Sequence, residues 1–107
     1  MRYLWLVLLA LSAWTVRAAE VPEFQLTIRE HRFVPAEVIV PANTKVKLVV
    51  INEDATPEEF ESHELNREKV VTGKGRISVF IGPLKPGRYP FFGEFHMDTA
   101  QGAVIAR

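Results

Sequence analysis

Apolar and polar residues alternate along most of this chain, and that period of two is the feature that most restricts its fold. Each alternating run is four or five residues long, and the runs lie at residues 24–28, 46–50, 77–81, 89–92 and 103–106. Such alternation is typical of β-strands with one face buried and the other in water. No stretch of useful length has the period of an amphipathic helix, so the pattern predicts an all-β protein.

Glycine and proline mark the ends of these runs. Turn-forming segments lie at Pro41-Ala42-Asn43, Gly73-Lys74-Gly75, Gly82-Pro83 and Pro86-Gly87. We assign Phe33, Val38 and Val40 to one further extended region, which Pro35 interrupts. With this region, the chain has six or seven short strands at regular spacing. Strands of this length and spacing favour an antiparallel Greek-key β-sandwich. Residues 57–65 are open to two interpretations, one helical turn or an extended segment.

The first eighteen residues have the pattern of an export signal. Met1-Arg2-Tyr3 gives a basic start, an apolar run follows from Leu4 to Trp14, and Val16-Arg17-Ala18 resembles a small-residue cleavage site. A membrane-spanning helix needs about 20 apolar residues, more than this run contains. We therefore predict a signal peptide at residues 1–18, a single domain at 19–107 and a periplasmic location.

Composition removes several classes of function. The chain has no Cys, which excludes disulfides, thiol catalysis, iron–sulfur clusters and cysteine-ligated zinc. Thirteen basic residues balance thirteen acidic ones, and no basic run is present, so nucleic acid is not expected as a partner. No nucleophile–base motif or phosphate-binding glycine loop supports hydrolytic chemistry.

Two segments contain residues that can bind metal ions. Residues 53–64 include six carboxylates and His63, and residues 91–98 include Glu94, His96 and Asp98 among aromatic side chains. Oxygen and imidazole donors together suit iron, copper, zinc or manganese. The alternative is a solvated acidic loop beside an ordinary loop histidine, because carboxylate-rich surfaces are common.

Several motifs resemble those of the cupredoxins. They are Phe33-x-Pro35, Val38-x-Val40, Lys45-Val46, Asn52-x-Asp54, the string from Gly82 to Phe91, and Gly102. The resemblance covers nearly the whole domain and implies a cupredoxin-like β-sandwich. It also implies a copper site formed by the loop after Asn52 and the loop before Gly102.

The positions that correspond to copper ligands differ from the family. Gly93 stands at the cysteine position and Ala100 near the axial methionine, while His96 keeps the C-terminal histidine position. Glu58 and Glu59 lie near the N-terminal histidine position. A blue copper centre requires the thiolate, so the chain is not expected to form one.

A narrower resemblance joins residues 57–71 with residues 82–96. Together they are similar to small cupredoxin-like periplasmic proteins that accompany bacterial ferrous-iron permeases of the Ftr type. That similarity implies copper as cofactor, iron as substrate or ligand, and a membrane iron permease complex as partner. It further implies a copper-dependent ferroxidase, which oxidises Fe²⁺ for the permease.

Alternation assigns faces to the candidate ligands. If residues 58–64 are extended, Phe60 points into the sandwich, and Glu58 shares its face. A carboxylate buried at that point needs a cation or hydrogen-bond donors. The predicted metal ligands are Glu59, Glu61, Glu94 and His96, with Glu58 and Met97 in reserve. His63 stays open, as a ligand or as a surface histidine beside acids.

Two other functions stay open at this point. One is a copper or iron carrier without catalysis that hands metal to a membrane partner. The other is a structural module that kept the cupredoxin fold and lost its metal. The missing cysteine favours this interpretation, whereas the presence of His96 beside an acidic loop argues against it.

Overall fold

The structure is a computed structural model that describes residues 20–107; the predicted signal peptide at residues 1–18 lies outside the described part. Nine strands and one short 3-10 helix form the domain. In chain order they are β1 Glu23–Arg29, β2 Arg32–Val34, β3 Glu37–Val40, β4 Val46–Asn52, β5 Glu58–Ser62, β6 Arg67–Val71, β7 Arg76–Ile81, β8 Gly87–Gly93, the 3-10 helix Glu94–His96, and β9 Gln101–Ala106. Within residues 20–107, no helix has the length and apolar character needed to cross a membrane.

The strands form two packed sheets, ordered β2-β1-β4-β7 and β3-β9-β8-β5-β6. The predicted all-β sandwich is therefore confirmed. Both sheets are mixed, because β1 pairs with β4 and β3 with β9 in parallel, while the other described pairs are antiparallel. Alternation records which face of a strand is buried and not the direction of its neighbour, so the sequence did not reveal the parallel pairs.

Pro35 separates two strands that the sequence pattern treated as one group. Phe33 on β2 lies in the first sheet, whereas Val38 and Val40 on β3 lie in the second, and all three are buried between the sheets. Proline has no backbone N–H to contribute to a strand ladder, so a crossing between sheets at this residue loses no hydrogen bond.

The segment that was open to two interpretations is extended. β5 pairs with β6 through a turn at residues 63–66, and Phe60 is fully buried, as alternation predicted. Glu58 and Ser62 share its inner face, while Glu59 and Glu61 lie half-buried on the outer face. Because β5 runs antiparallel to β8, the start of β5 lies beside the end of β8 and the 3-10 helix that follows.

Three aromatic rings fill the core beneath that end of the sandwich. Phe33 meets Phe91 edge to face with centroids 4.9 Å apart, and Phe60 lies 5.1 Å from Phe91. Aromatic pairs at these separations stabilise a core beyond the area they bury. Phe60 lies on β5 and Phe91 on β8, so these rings pack next to the candidate metal ligands on β5 and in the 3-10 helix.

Candidate metal centre

Glu58 is a buried carboxylate with a complete set of hydrogen-bond donors. Its residue is 1% exposed. Oε1 accepts the backbone N–H of Phe95 at 2.8 Å and of Glu59 at 3.0 Å, and Oε2 lies 2.6 Å from Nδ1 of His96. The donors predicted for a carboxylate at this position are therefore present, and they come from the 3-10 helix and from the adjacent peptide. Glu58 and His96 form the inner pair of the site.

Gly93 and Ala100 leave the space that the Glu58 carboxylate fills. A Cβ atom at Gly93 would lie 2.6 Å from Cδ of Glu58 and 2.7 Å from Cβ of Ala100. Both distances are far below van der Waals contact, so any side chain at residue 93 would displace Glu58. The positions that correspond to the cysteine and the axial methionine are thus occupied by small residues, and the carboxylate packs against Gly93.

His31 lies next to the inner pair, although no sequence pattern indicated it. Its ring stacks on the ring of His96 with centroids 3.6 Å apart and planes inclined by 16°. The two residues are 65 positions apart in the chain, and neither motif spacing nor alternation links them. The His31 side chain is 42% exposed and that of His96 is 27% exposed, so the stacked pair lies at the surface of the domain.

The turn that carries His31 is held in an unfavourable backbone conformation. Glu30 and His31 join β1 to β2 with φ values of 51° and 57°, a region in which residues other than glycine are uncommon. Both backbone N–H groups donate to the Asp54 carboxylate, at 2.8 and 2.9 Å, and Thr99 donates its hydroxyl to the His31 carbonyl at 2.6 Å. The N–H of His31 and that of Glu30 hold the pKa of Asp54 below its ordinary value.

Asn52 fixes the loop that supplies Asp54. The Asn52 side chain donates to the carbonyls of Thr56 and Thr72, and it accepts the backbone N–H of Asp54 at 3.0 Å. Asn52 is buried, and these bonds satisfy both ends of its amide. The Asn52-x-Asp54 motif therefore ties β4 to the turn beneath His31.

Four carboxylates form an outer acidic cluster, three of them on the outer face of β5 and β6 and the fourth, Glu94, in the 3-10 helix. Ligand oxygens of Glu59, Glu61 and Glu68 lie within 4.8 Å of one another, and Glu94 interacts with Glu61. Glu68 was missed because it belongs to β6, and only the pairing of Glu61 with Glu68 across the β5–β6 hairpin brings it there. Glu59, Glu61 and Glu94 are thus near one another.

Five of the six predicted ligands fall into these two groups, and Met97 belongs to neither. His96 bonds to Glu58 in the inner pair, whereas Glu59, Glu61 and Glu94 belong to the outer acidic cluster. Met97 follows the 3-10 helix and is 47% exposed. His63 lies in the exposed turn after β5, where its ring is tilted against Phe92 at a centroid distance of 5.4 Å.

Contacts within the outer acidic cluster raise the pKa of two of its carboxyl groups. A hydrogen bond to Glu68 raises the pKa of Glu59 from 4.5 to about 7. Loss of hydration, followed by the interaction with Glu94, raises the pKa of Glu61. A group whose pKa is higher in the folded state contributes stability below its unfolded pKa, and this contribution is lost as pH rises through the folded value.

We expect Glu59→Gln to reduce the fall in melting temperature of the metal-free protein between pH 5 and pH 8. Glutamine cannot ionise, so it removes the charge that repels Glu61 and Glu68 at high pH. Melting temperatures across this range, compared with those of the wild-type protein, measure the effect. Glu64→Gln, in the exposed turn outside the cluster, is the control and should follow the wild-type profile. Equal slopes in all three proteins would contradict the prediction.

The comparison with protein families gives one match of nearly full length. The family described as "Cupredoxin-like domain" matches residues 2–106. An uncharacterized protein of Rickettsia prowazekii (strain Madrid E) is 53% identical over 83 residues, which are 78% of this chain and 66% of that protein. This chain therefore spans slightly less than two thirds of the length of that relative.

Solved structures of copper proteins share the fold. Auracyanin A, a "blue" copper protein of Chloroflexus aurantiacus, superposes with a TM-score of 0.71 at 14% identity, over 82% of this chain and 100% of its own. The metal-binding domain of the Cu(I)-exporting P-type ATPase CopA of Streptococcus pneumoniae D39 gives a TM-score of 0.67 at 11% identity. The superposition covers 79% of this chain and 84% of that domain. Amicyanin from Paracoccus versutus gives 0.63 at 16% identity, over 86% of each chain.

Proposed function

The chain belongs to the cupredoxin-like domain family, and on that premise we propose that it is a periplasmic metal-binding protein. In this proposal it uses copper at His96 to assist the oxidation of Fe²⁺, and the iron passes to a membrane iron permease. The observation that carries the proposal is the inner pair, an imidazole held by a buried carboxylate at the end of the sandwich. The similarity of residues 57–71 and 82–96 to proteins of Ftr-type iron uptake supports the iron substrate and the permease partner.

The side chains of the inner pair suit a copper site that differs from the site of blue copper proteins. Imidazole nitrogen binds copper well, and carboxylate oxygens accept both copper and iron. A blue site also needs a cysteine thiolate, yet the chain has no Cys, and Glu58 fills the space beside Gly93. The residues present at the inner pair therefore offer a copper ion imidazole nitrogen from His96 and carboxylate oxygen from Glu58, and not the donors of a blue site.

Each group of residues has a separate part in the proposed reaction. His96 and Glu58, which contact each other, would hold the copper ion. The outer acidic cluster provides hard oxygen donors, which attract Fe²⁺ and bind Fe³⁺ more tightly. Copper, if bound there, would supply a one-electron acceptor for Fe²⁺, and repeated turnover would need O₂ or another one-electron oxidant.

We expect the Cu²⁺ complex to be colourless or pale. The intense colour of a blue copper protein arises from charge transfer between a thiolate and Cu²⁺, and no thiolate is present in this chain. A visible absorption spectrum of the purified protein with one equivalent of Cu²⁺ measures this. An intense charge-transfer band in the visible region would contradict the assignment of nitrogen and oxygen ligands.

A single-turnover experiment tests the proposed function. Protein with one equivalent of Cu²⁺ is mixed with Fe²⁺ under nitrogen, and we expect about one Fe³⁺ for each copper before the reaction stops. Glu59→Gln with Glu61→Gln should slow this oxidation and leave copper binding unchanged, because it alters the outer acidic cluster and not the inner pair. Glu64→Gln is the matched control and should react at the wild-type rate.

The other outcomes identify the alternative functions. Copper binding without Fe³⁺ formation would overturn the ferroxidase role and leave a metal carrier. Failure to bind copper at all would leave a structural module. An unchanged rate in the double variant would exclude the outer acidic cluster as the place where iron binds.

A further inference from the structure

Phe80 is an exposed aromatic ring flanked by two lysines. It lies on β7, the last strand of the first sheet, and it is 45% exposed. Nζ of Lys45 lies 5.1 Å from the centroid of its ring, and Nζ of Lys47 lies 5.9 Å from it. Ammonium groups at these distances are attracted to the face of an aromatic ring. The two cations therefore lie beside an apolar surface that solvent reaches.

Two more cations reach β7 from β6, the last strand of the second sheet. Nε of Arg67 donates to the carbonyl of Phe80 at 2.8 Å, and Nζ of Lys69 donates to the carbonyl of Ser78 at 3.1 Å. Arg67 and Lys69 are both exposed residues. The four cations and the ring form one surface, which we call the basic edge: Lys45, Lys47, Arg67, Lys69 and Phe80.

Positive charge exceeds negative charge at the basic edge. Lys47 pairs with Glu23 at 3.1 Å, whereas the other three cations form no ion pair with any residue in the range 20–107. Glu20 and Glu23 both line the cleft beside Phe80. Four cations against these two carboxylates leave an excess of two positive charges.

Glu68 does not offset this charge, although it lies between Arg67 and Lys69 in the chain. Successive side chains of a strand point to opposite faces, and Glu68 is opposite Glu61 on the outer face of the second sheet. The strand β6 thus separates the basic edge from the outer acidic cluster.

The basic edge is unsuited to pairing with another β-strand. β7 has no strand neighbour on this side, and cationic side chains from β6 bond to its carbonyls at Ser78 and Phe80. Charged side chains at a strand edge discourage the addition of a further strand. A partner therefore contacts side chains and not backbone. Ammonium and guanidinium groups are common ligands of phosphate oxygens.

We propose that the basic edge binds the anionic surface of a phospholipid bilayer, with its cations on the headgroup phosphates and the ring of Phe80 at the boundary with the acyl chains. Basic residues around an apolar side chain are the combination by which proteins lie on anionic membranes. This inference rests on the proposed function for the location of the protein, because a protein that supplies a membrane permease works at the membrane. The outer acidic cluster, on the other face of β6, stays clear of the headgroups.

Sedimentation with lipid vesicles tests the proposal. The protein is purified after export, and its mass is used to check that the predicted signal peptide is removed. It is then mixed at low ionic strength with vesicles of phosphatidylcholine alone, or of phosphatidylcholine and phosphatidylglycerol in equal parts. We expect binding to the anionic vesicles only, and release when added salt screens the charges. No binding to the anionic vesicles, or equal binding to both kinds, would overturn the proposal.

Lys45→Gln with Lys47→Gln tests the place of binding. Each cation near an anionic surface strengthens binding about fivefold, so the double variant should bind the anionic vesicles about 25-fold more weakly. Arg32→Gln with Arg88→Gln is the matched control, because it removes the same charge from β2 and β8, outside the basic edge. An equal loss in both double variants would overturn the proposal. Without vesicles, both should oxidise Fe²⁺ at the wild-type rate, so failure of membrane binding leaves the proposed function intact.

Phe80→Ser separates a bilayer from an acidic protein surface. An acidic protein would be held by the charges alone, whereas a bilayer also takes up the apolar ring. We expect Phe80→Ser to weaken vesicle binding and to make the remaining binding more sensitive to salt. Phe95→Ser is the control, because Phe95 is 48% exposed but lies in the 3-10 helix. Wild-type vesicle binding by Phe80→Ser would overturn the assignment of a bilayer.

Discussion

Glu58→Ala is expected to lower the free energy of unfolding of the metal-free protein by about 3–5 kcal/mol, because three donors lose their acceptor and each unsatisfied buried donor costs about 1–3 kcal/mol. The change deletes the acceptor of three hydrogen bonds, from Phe95, Glu59 and His96, and leaves a cavity next to Gly93. For a domain of this size, each kcal/mol corresponds to about 4–8 °C in melting temperature. The melting temperature should therefore fall by at least about 12 °C.

Glu59→Ala is the control for this measurement. Glu59 is adjacent in sequence, but it lies on the outer face within the acidic cluster, so its removal relieves repulsion and should not lower the melting temperature at pH 8. Urea unfolding at one pH and ionic strength gives both free energies. A Glu58→Ala protein as stable as the wild type would show that the buried carboxylate contributes nothing to the fold.

His96→Ala is expected to weaken Cu²⁺ binding by more than about 100-fold, beyond the effect of removing a residue that only orients a ligand. The reason is that His96 is the imidazole of the inner pair. Calorimetric titration of the metal-free protein with Cu²⁺ measures the change. His63→Ala removes an exposed imidazole from the turn after β5 and should leave the affinity near the wild-type value.

His96→Asn separates folding from binding. The asparagine side chain can keep a hydrogen bond to Glu58, but it offers no imidazole nitrogen to a metal ion. The variant should therefore melt close to the wild type and still lose Cu²⁺ binding. If His96→Ala kept its copper affinity and only melted lower, His96 would be a structural residue and the proposed function would be wrong.

Local sequence pattern predicted the faces of β5 well. Phe60 is buried, Glu58 shares its face, and Glu59 and Glu61 lie opposite, as expected from alternation alone. Successive side chains of a strand point to opposite faces whatever the strand pairs with, so this information is local. The same reasoning located the alternating runs at β1, β4, β7, β8 and β9.

Other features depended on pairing between distant segments. Val38 and Val40 lie in the sheet opposite Phe33, because the chain changes sheets at Pro35. Glu68 joins the outer acidic cluster through the register of the β5–β6 hairpin, in which it faces Glu61. A shift of that register by one residue would send Glu68 to the other face, and periodicity within either strand does not set it.

The sequence by itself determined that this chain is an all-β domain without a thiolate, with a histidine near its last turn and carboxylates on both faces of β5. Only the tertiary structure decided that Glu58, and not Glu59 or Glu61, contacts His96, and that His31 stacks on the same ring. The physical reason is that alternation specifies the side on which a residue lies. The partner it meets there is set by long-range packing that brings residues 31, 58 and 96 to one end of the sandwich.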